Sequence, residues 1–413
     1  TFEGAVVLSA NTTLTGGAIA FDGILDADQA SNNRVITLAS GGLKSFSGKV
    51  GGQAAFATLN ATGGGGVMVS GGSVKTTTQN YTSETVTLGA DSVFSGTTLN
   101  FGTINGNSRN LTLSATGTAT LTGVVSGVAD LVSDSGGTTV LPSSVTTTGS
   151  QVFSDAAVVL ASDVTLTSTG TGSAGNITLN SPVDGAHNLR LISGGTAVLA
   201  AAIGSTTPLV SFTSDNNAST QTVIGGGGVT TTGTQVYADN LSLASDTVFT
   251  ASTISFPATP ANSNARGNNV TLDLSSSVDL GSDFFDGTVG ALSVSAPGGI
   301  TVSGTLAVGG SQTFSHALTL GADVTLSGAD LTLAAVNGGG HNLTLAQRGV
   351  GFLGGVVSNV AALQTGGSGL TILGADLSVS SLNVQNPVLL SSDRILTTSG
   401  AMNLNAVIGN GKN

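Results

Sequence analysis

Hydrophobic residues along this chain come in short alternating bursts. Val86 and Leu88 flank Thr87, Leu111 and Leu113 flank Thr112, and Leu343 and Leu345 flank Thr344. Strict alternation over a few residues marks a half-buried strand whose apolar side chains all point one way. Gly, Asn and Asp separate the bursts and supply turns. No apolar run approaches the roughly 20 residues of a membrane span, so no membrane insertion is expected of this segment.

The bursts recur in longer copies. Gln79-Asn80-Tyr81 leads to Leu88-Gly89-Ala90-Asp91, Gln151-Val152-Phe153 to Leu160-Ala161-Ser162-Asp163, Gln235-Val236-Tyr237 to Leu243-Ala244-Ser245-Asp246, and Gln312-Thr313-Phe314 to Leu320-Gly321-Ala322-Asp323. Phe2 with Val7-Leu8-Ser9-Ala10-Asn11 is a first copy. The aromatic landmarks Phe2, Tyr81, Phe153, Tyr237 and Phe314 mark long units of unequal length, beginning near 1, 79, 151, 235 and 312. A shorter step sits inside each unit. It runs from Phe2 to Phe21, from Tyr237 to Phe256 and from Phe314 to Leu333, and it is one longer from Tyr81 to Phe101. The Phe153 copy breaks step through an insertion, Thr169 to Gly175.

A period near 19 filled with three short strands predicts one coil of a parallel β-helix. The expected fold is all-β: a single continuous right-handed parallel β-helix, or β-solenoid, over residues 1–413. Its handedness follows the preference of parallel crossovers. Roughly 21 coils about 4.8 Å apart give a rod on the order of 100 Å. Ala197 and Ala200 to Ala202 are expected to line and narrow the core.

Composition fits such a fold. Only 8% of residues are charged, against about 25% in ordinary domains, and Ser, Thr, Asn and Gly must cover the surface instead. The 39% apolar residues exclude a disordered chain. Net charge of −12 disfavours nucleic acid, which needs a basic face. The absence of Cys excludes disulfides and thiolate metal sites, and no cofactor or metal is expected.

With its short coil and alternation, the chain resembles the repeat shaft of filamentous hemagglutinin-type exoproteins, large bacterial β-helices exported by two-partner secretion. The resemblance runs along the whole chain through pattern and composition rather than one motif. It implies a secreted or cell-surface fibre serving adhesion, aggregation or sheathing, with self-association end to end or laterally, and cell-surface glycans or other cells as partners. The family's secretion domain with its Asn-Pro motifs is missing, and Asn386-Pro387 sits too late to match it. The chain opens Thr1-Phe2-Glu3 and closes Asn410-Gly411-Lys412-Asn413 within repeats, so the natural polypeptide is expected to be longer.

Candidate contact residues follow the repeats. A basic group recurs at one turn: Arg34, Arg109, His187, Arg266, His341 and Lys412. Such a row could bind anionic glycans or a neighbouring fibre, or each side chain could snorkel over the coil edge. Asp283-Phe284-Phe285-Asp286 replaces Val124-Val125 and Val356-Val357 of other units and could form an aromatic contact patch or a packed bulge. Asp91, Asp163, Asp246 and Asp323 form an acidic row. They are expected to cap their own turns, one carboxylate per coil being too few for calcium.

Catalysis is not expected. The rival is a β-helical polysaccharide lyase or hydrolase, which needs carboxylates and a proton acceptor gathered in one groove. Here the 22 acidic residues are thinly spread and His187, His316 and His341 fall at repeat positions. Thr-x-Thr pairs such as Thr85-Val86-Thr87 and Thr165-Leu166-Thr167 suggest an ice-binding solenoid, a reading ranked last because similar pairs are expected several coils apart.

Overall fold

The structure is a computed structural model describing residues 1–214, 220–256, 264–281, 288–409 and 411. The chain forms two compact units, Thr1–Thr222 and Val223–Asn413. Each is built of stacked coils whose strands pair in parallel, about 20 residues apart, some 19 turns of β-solenoid in all.

In the first unit a coil carries three short strands. Leu131–Ser133, Thr138–Leu141 and Ser144–Thr147 make one coil, and Gln151–Phe153, Ala157–Leu160 and Val164–Ser168 make the next. They pair in register, Leu131 with Gln151, Thr138 with Ala157 and Ser144 with Thr165. Alternation sets which way each side chain points: Leu111 and Leu113 are fully buried while Thr112 between them is half-exposed. Burying one Leu or Val in this way contributes about 1.5–3 kcal/mol, and every coil adds several.

The short steps seen in the sequence are contacts between coils. Phe2 stacks on Phe21 at 4.9 Å between ring centroids, and Tyr81 on Phe101 at 5.3 Å. Insertions stretch the step elsewhere. Phe153 pairs with Leu179, well beyond one ordinary step, because Thr169 to Gly175 bulges out around a 3-10 turn at Gly172–Gly175. Such insertions lengthen the mean spacing and lower the coil count below the expected value. Ala197 is buried as expected, but Ala200 is exposed and Ala201 and Ala202 are only half-buried, so this Ala run belongs to a turn and does not line the core.

In the second unit a ten-stranded parallel sheet runs from Gly228–Thr230 to Val407–Ile408. Its inward column passes from Val229 and Phe249 through Phe314 and Leu333 to Leu373 and Leu390, all buried. The step is uneven here too, shortest where Thr371 pairs with Val388 and longer where Thr247 pairs with Val270. Tyr237 stacks on Phe256 at 5.8 Å.

Close coil stacking explains part of the glycine content. A Cβ on Gly338 would lie 2.5 Å from Val360 Cα in the next coil, and one on Gly106 would lie 2.3 Å from Val128 Cα. Only glycine allows the backbones to approach so closely.

The repeated glutamines are fully buried and tie coils together from inside. Gln79 Nε2 donates to Val74 O and Ser95 O, Gln235 Nε2 to Val229 O and Thr250 O, and Gln312 Nε2 to Leu306 O and Ser327 O. Each amide bonds one carbonyl earlier in its own coil and one in the following coil. Thr250 O and Ser327 O also accept a backbone N–H, from Thr231 and Val308, so there the glutamine takes the second lone pair of a carbonyl already in use.

Candidate functional site

The turn that carries the basic row is built by a relay of side chains between coils. Asp91 Oδ1 accepts the backbone N–H of Asn110 in the following coil, Asn110 Oδ1 accepts from Asp130 N, and Asp130 Oδ1 accepts from Ser150 N. The same unit repeats at Asp163 with Asn188, Asp246 with Asn269 and Asp323 with Asn342, where Oδ1 takes the Asn backbone N–H and Oδ2 its side-chain amide. Asn11 does the same for Val35 N. The acidic row therefore caps the turn of the next coil. The expectation that each Asp bonds its own turn is corrected: the open N–H lies one coil away, within reach of a short carboxylate.

These bonds shift the acids. The Asn188 backbone N–H, then its side-chain amide, hold the Asp163 carboxyl below the usual range, and Asn342 does the same for Asp323. A carboxylate that accepts two N–H donors is stabilised in its charged form.

The capped N–H fixes the alignment of the basic row. Arg34, Arg109, His187 and His341 each directly precede the residue whose N–H is capped, namely Val35, Asn110, Asn188 and Asn342. Arg266 does not. It lies further ahead of its capped residue, Asn269, takes a left-handed φ of 54°, and donates its backbone N–H to Asn264 Oδ1. Asn107 and Gly339 occupy that same position, donating to Asn105 and Asn337. Lys412 lies outside the described residues, as do Asp283, Phe284, Phe285 and Asp286.

Three members of the row face carboxylates. Arg34 makes a two-pronged pair with Asp28, both bonds 2.8 Å, and this holds the Asp28 carboxyl far below its usual range. His187 Nδ1 lies 3.7 Å from Asp163 Oδ1, and His341 Nδ1 3.9 Å from Asp323 Oδ1. Arg109 is exposed at the corresponding turn. The row thus holds one ion pair, Arg34 with Asp28, and two imidazoles each close to a carboxylate, with Arg109 exposed and Arg266 displaced from it.

A second ordered surface lies on the first unit. Thr58, Thr78, Thr98, Thr118 and Thr138 stand in register on successive coils, with the same step between every pair. Beside them, at the next outward position of each strand, Asn60, Asn80, Asn100, Thr120 and Val140 form a parallel column. The side chains of both columns are half-exposed, and the residues between them, Leu59, Gln79, Leu99, Ala119 and Thr139, are fully buried. The amides are chained: Asn100 Nδ2 donates to Asn80 Oδ1 and Asn80 Nδ2 to Asn60 Oδ1, both at 2.7 Å, and Asn60 Nδ2 to Thr37 Oγ1 at 3.3 Å. Thr-x-Thr itself occurs once in the two columns, at Thr118-Ala119-Thr120, and what repeats on every coil is a single Thr, with Asn beside it at Thr58, Thr78 and Thr98. The signal was the even spacing of Thr-x-Asn at Thr58, Thr78 and Thr98, continued by Thr118 and Thr138, which the longer aromatic units overshadow.

Comparison of the chain with family models, with curated proteins and with solved structures gives no match.

Proposed function

We propose that the chain is a structural segment of an extracellular or cell-surface bacterial fibre or adhesin, acting in adhesion, aggregation or sheathing without catalysis. The observation that supports this reading best is the relay from Asp91 through Asn110 and Asp130 to Ser150. It uses side-chain chemistry to join one coil to the next. An enzyme would concentrate such groups in one groove.

The outer faces suit contact between fibres. They are largely Ser, Thr and Asn, the charge of Arg34 is paired with Asp28, and the imidazoles of His187 and His341 stand near Asp163 and Asp323. Neutral hydrogen-bonding faces pack side by side without strong repulsion, so lateral bundling and binding of uncharged glycans fit better than capture of a polyanion.

Cryo-electron microscopy of native material, paired with cell- and glycan-binding assays, tests the proposal. Long filaments with a layer line near ~4.8 Å, the spacing of paired strands, are expected. Short isolated particles that cleave uronic-acid polymers would overturn it in favour of a polysaccharide lyase or hydrolase.

A further inference from the structure

We infer that the Thr/Asn face of the first unit binds ice. This goes beyond the fibre reading and rests on a different observation. The face is a two-dimensional array. Strand pairing repeats it about every 4.8 Å from coil to coil, and alternate residues repeat it about every 6.7 Å along each strand. A crystal of water presents hydrogen-bonding oxygens as a lattice on the same scale, whereas an irregular protein surface or a single glycan chain offers no such repeat in two directions. A second copy of this face would, and ice partitioning set against self-association separates the two.

The chemistry of the positions fits. Each Thr carries a methyl and a hydroxyl, so the column Thr58, Thr78, Thr98, Thr118, Thr138 alternates apolar and polar points at fixed intervals. Its neighbour is stiffened by the chain of amide bonds from Asn100 to Asn80 to Asn60 to Thr37. Ordering has been completed in folding, so binding a lattice costs little further side-chain entropy. Both columns are neutral, as is ice, and a charged group would hold its own hydration shell against the crystal.

The test is partitioning of the whole chain into slowly growing ice, together with thermal hysteresis. Wild type is compared with Thr98→Tyr, Thr118→Tyr and a control on another face, Thr112→Tyr, whose side chain points outward between Val93 and Val132. Circular dichroism and melting curves establish that each variant folds. The expected result is enrichment of wild type and Thr112→Tyr in the ice fraction, with at least a tenfold loss for the two array variants. Exclusion of folded wild type from ice overturns the inference, as does equal loss in Thr112→Tyr. A fall in self-association of Thr98→Tyr without any ice enrichment of wild type would assign the face to contact between copies and also overturn it. None of these outcomes bears on whether native material is filamentous.

Discussion

The hydroxyl of Tyr81 donates to Gln79 Oε1 at 3.1 Å, with both side chains sealed inside the coil. Tyr237 repeats this bond to Gln235 at 3.0 Å. The other two copies place Phe153 and Phe314 in the same position, and there Gln151 Oε1 and Gln312 Oε1 are buried with no partner. The glutamine amide group is used in every copy, but its oxygen is satisfied only where the aromatic ring carries a hydroxyl.

Supplying the missing donor is therefore expected to stabilise. Phe153→Tyr and Phe314→Tyr should each add about 1 kcal/mol, the net value of a buried hydrogen bond. Tyr81→Phe should cost about 1–3 kcal/mol by orphaning Gln79 Oε1. Hydrogen exchange of the amides in Gln151–Phe153 reads this locally: slower exchange in Phe153→Tyr is expected, and unchanged or faster exchange would show that the hydroxyl does not fit.

The Gln and aromatic landmarks are visible in the sequence, and they locate the coils. The step from Phe2 to Phe21 is a ring stack because inward residues one coil apart must touch. The role of Gln79 was not legible, since its amide bonds carbonyls of Val74 and Ser95 whose positions depend on the corner geometry. The same limit hid the partner of Asp91, an N–H in the following coil. Arg266 resembles a member of the basic row by residue type, whereas the capped N–H of Asn269 shows it displaced. Periodicity locates strands, while hydrogen bonds at the turns depend on exact coil lengths that insertions alter.

Asp155 makes an opposite demand to the surface acids. It is 7% exposed, its Oδ2 accepts from Thr139 Oγ1 at 2.7 Å, and its Oδ1 has no partner. Burial pushes its carboxyl up, against the hydroxyls of Thr139 and Ser133, and the neighbouring charge of Asp134 adds to the rise. A raised folded pKa means that the protonated form is favoured by folding. Its stabilisation is complete below the ordinary carboxylate pKa of about 3.9 and is lost as pH rises through the raised value. Asp163 and Asp323, held low, stabilise above the ordinary range and lose that contribution as pH falls. Asp155→Asn should protect the surrounding amides at neutral pH and match wild type in acid. Comparing exchange in the two proteins at each pH isolates the residue. A constant ratio across pH would show that Asp155 does not titrate there.

Lys44 and Glu84 form an ion pair at 3.0 Å in which both side chains are fully buried. The two ends are not equally supported. Glu84 also accepts the backbone N–H groups of Gly64 and Gly66 at 2.8 and 2.7 Å, while Lys44 has Ser40 O besides its partner. Removing one member of a buried pair costs about 3–5 kcal/mol because the other charge is stranded. Lys44→Met leaves the carboxylate with two N–H donors and should fall at the low end. Glu84→Met strands the ammonium and orphans two backbone N–H groups, and should fall at the high end or prevent folding of these coils. Denaturant unfolding of the two variants, of Glu84→Gln and of Lys44→Met/Glu84→Gln measures the order and the coupling. The double variant should cost less than the sum of Lys44→Met and Glu84→Gln, since the pair couples. Little dependence on salt is expected for wild type, as a buried pair is weakly screened. If Lys44→Met proved the costlier single change, the glycine N–H groups would not be holding the carboxylate.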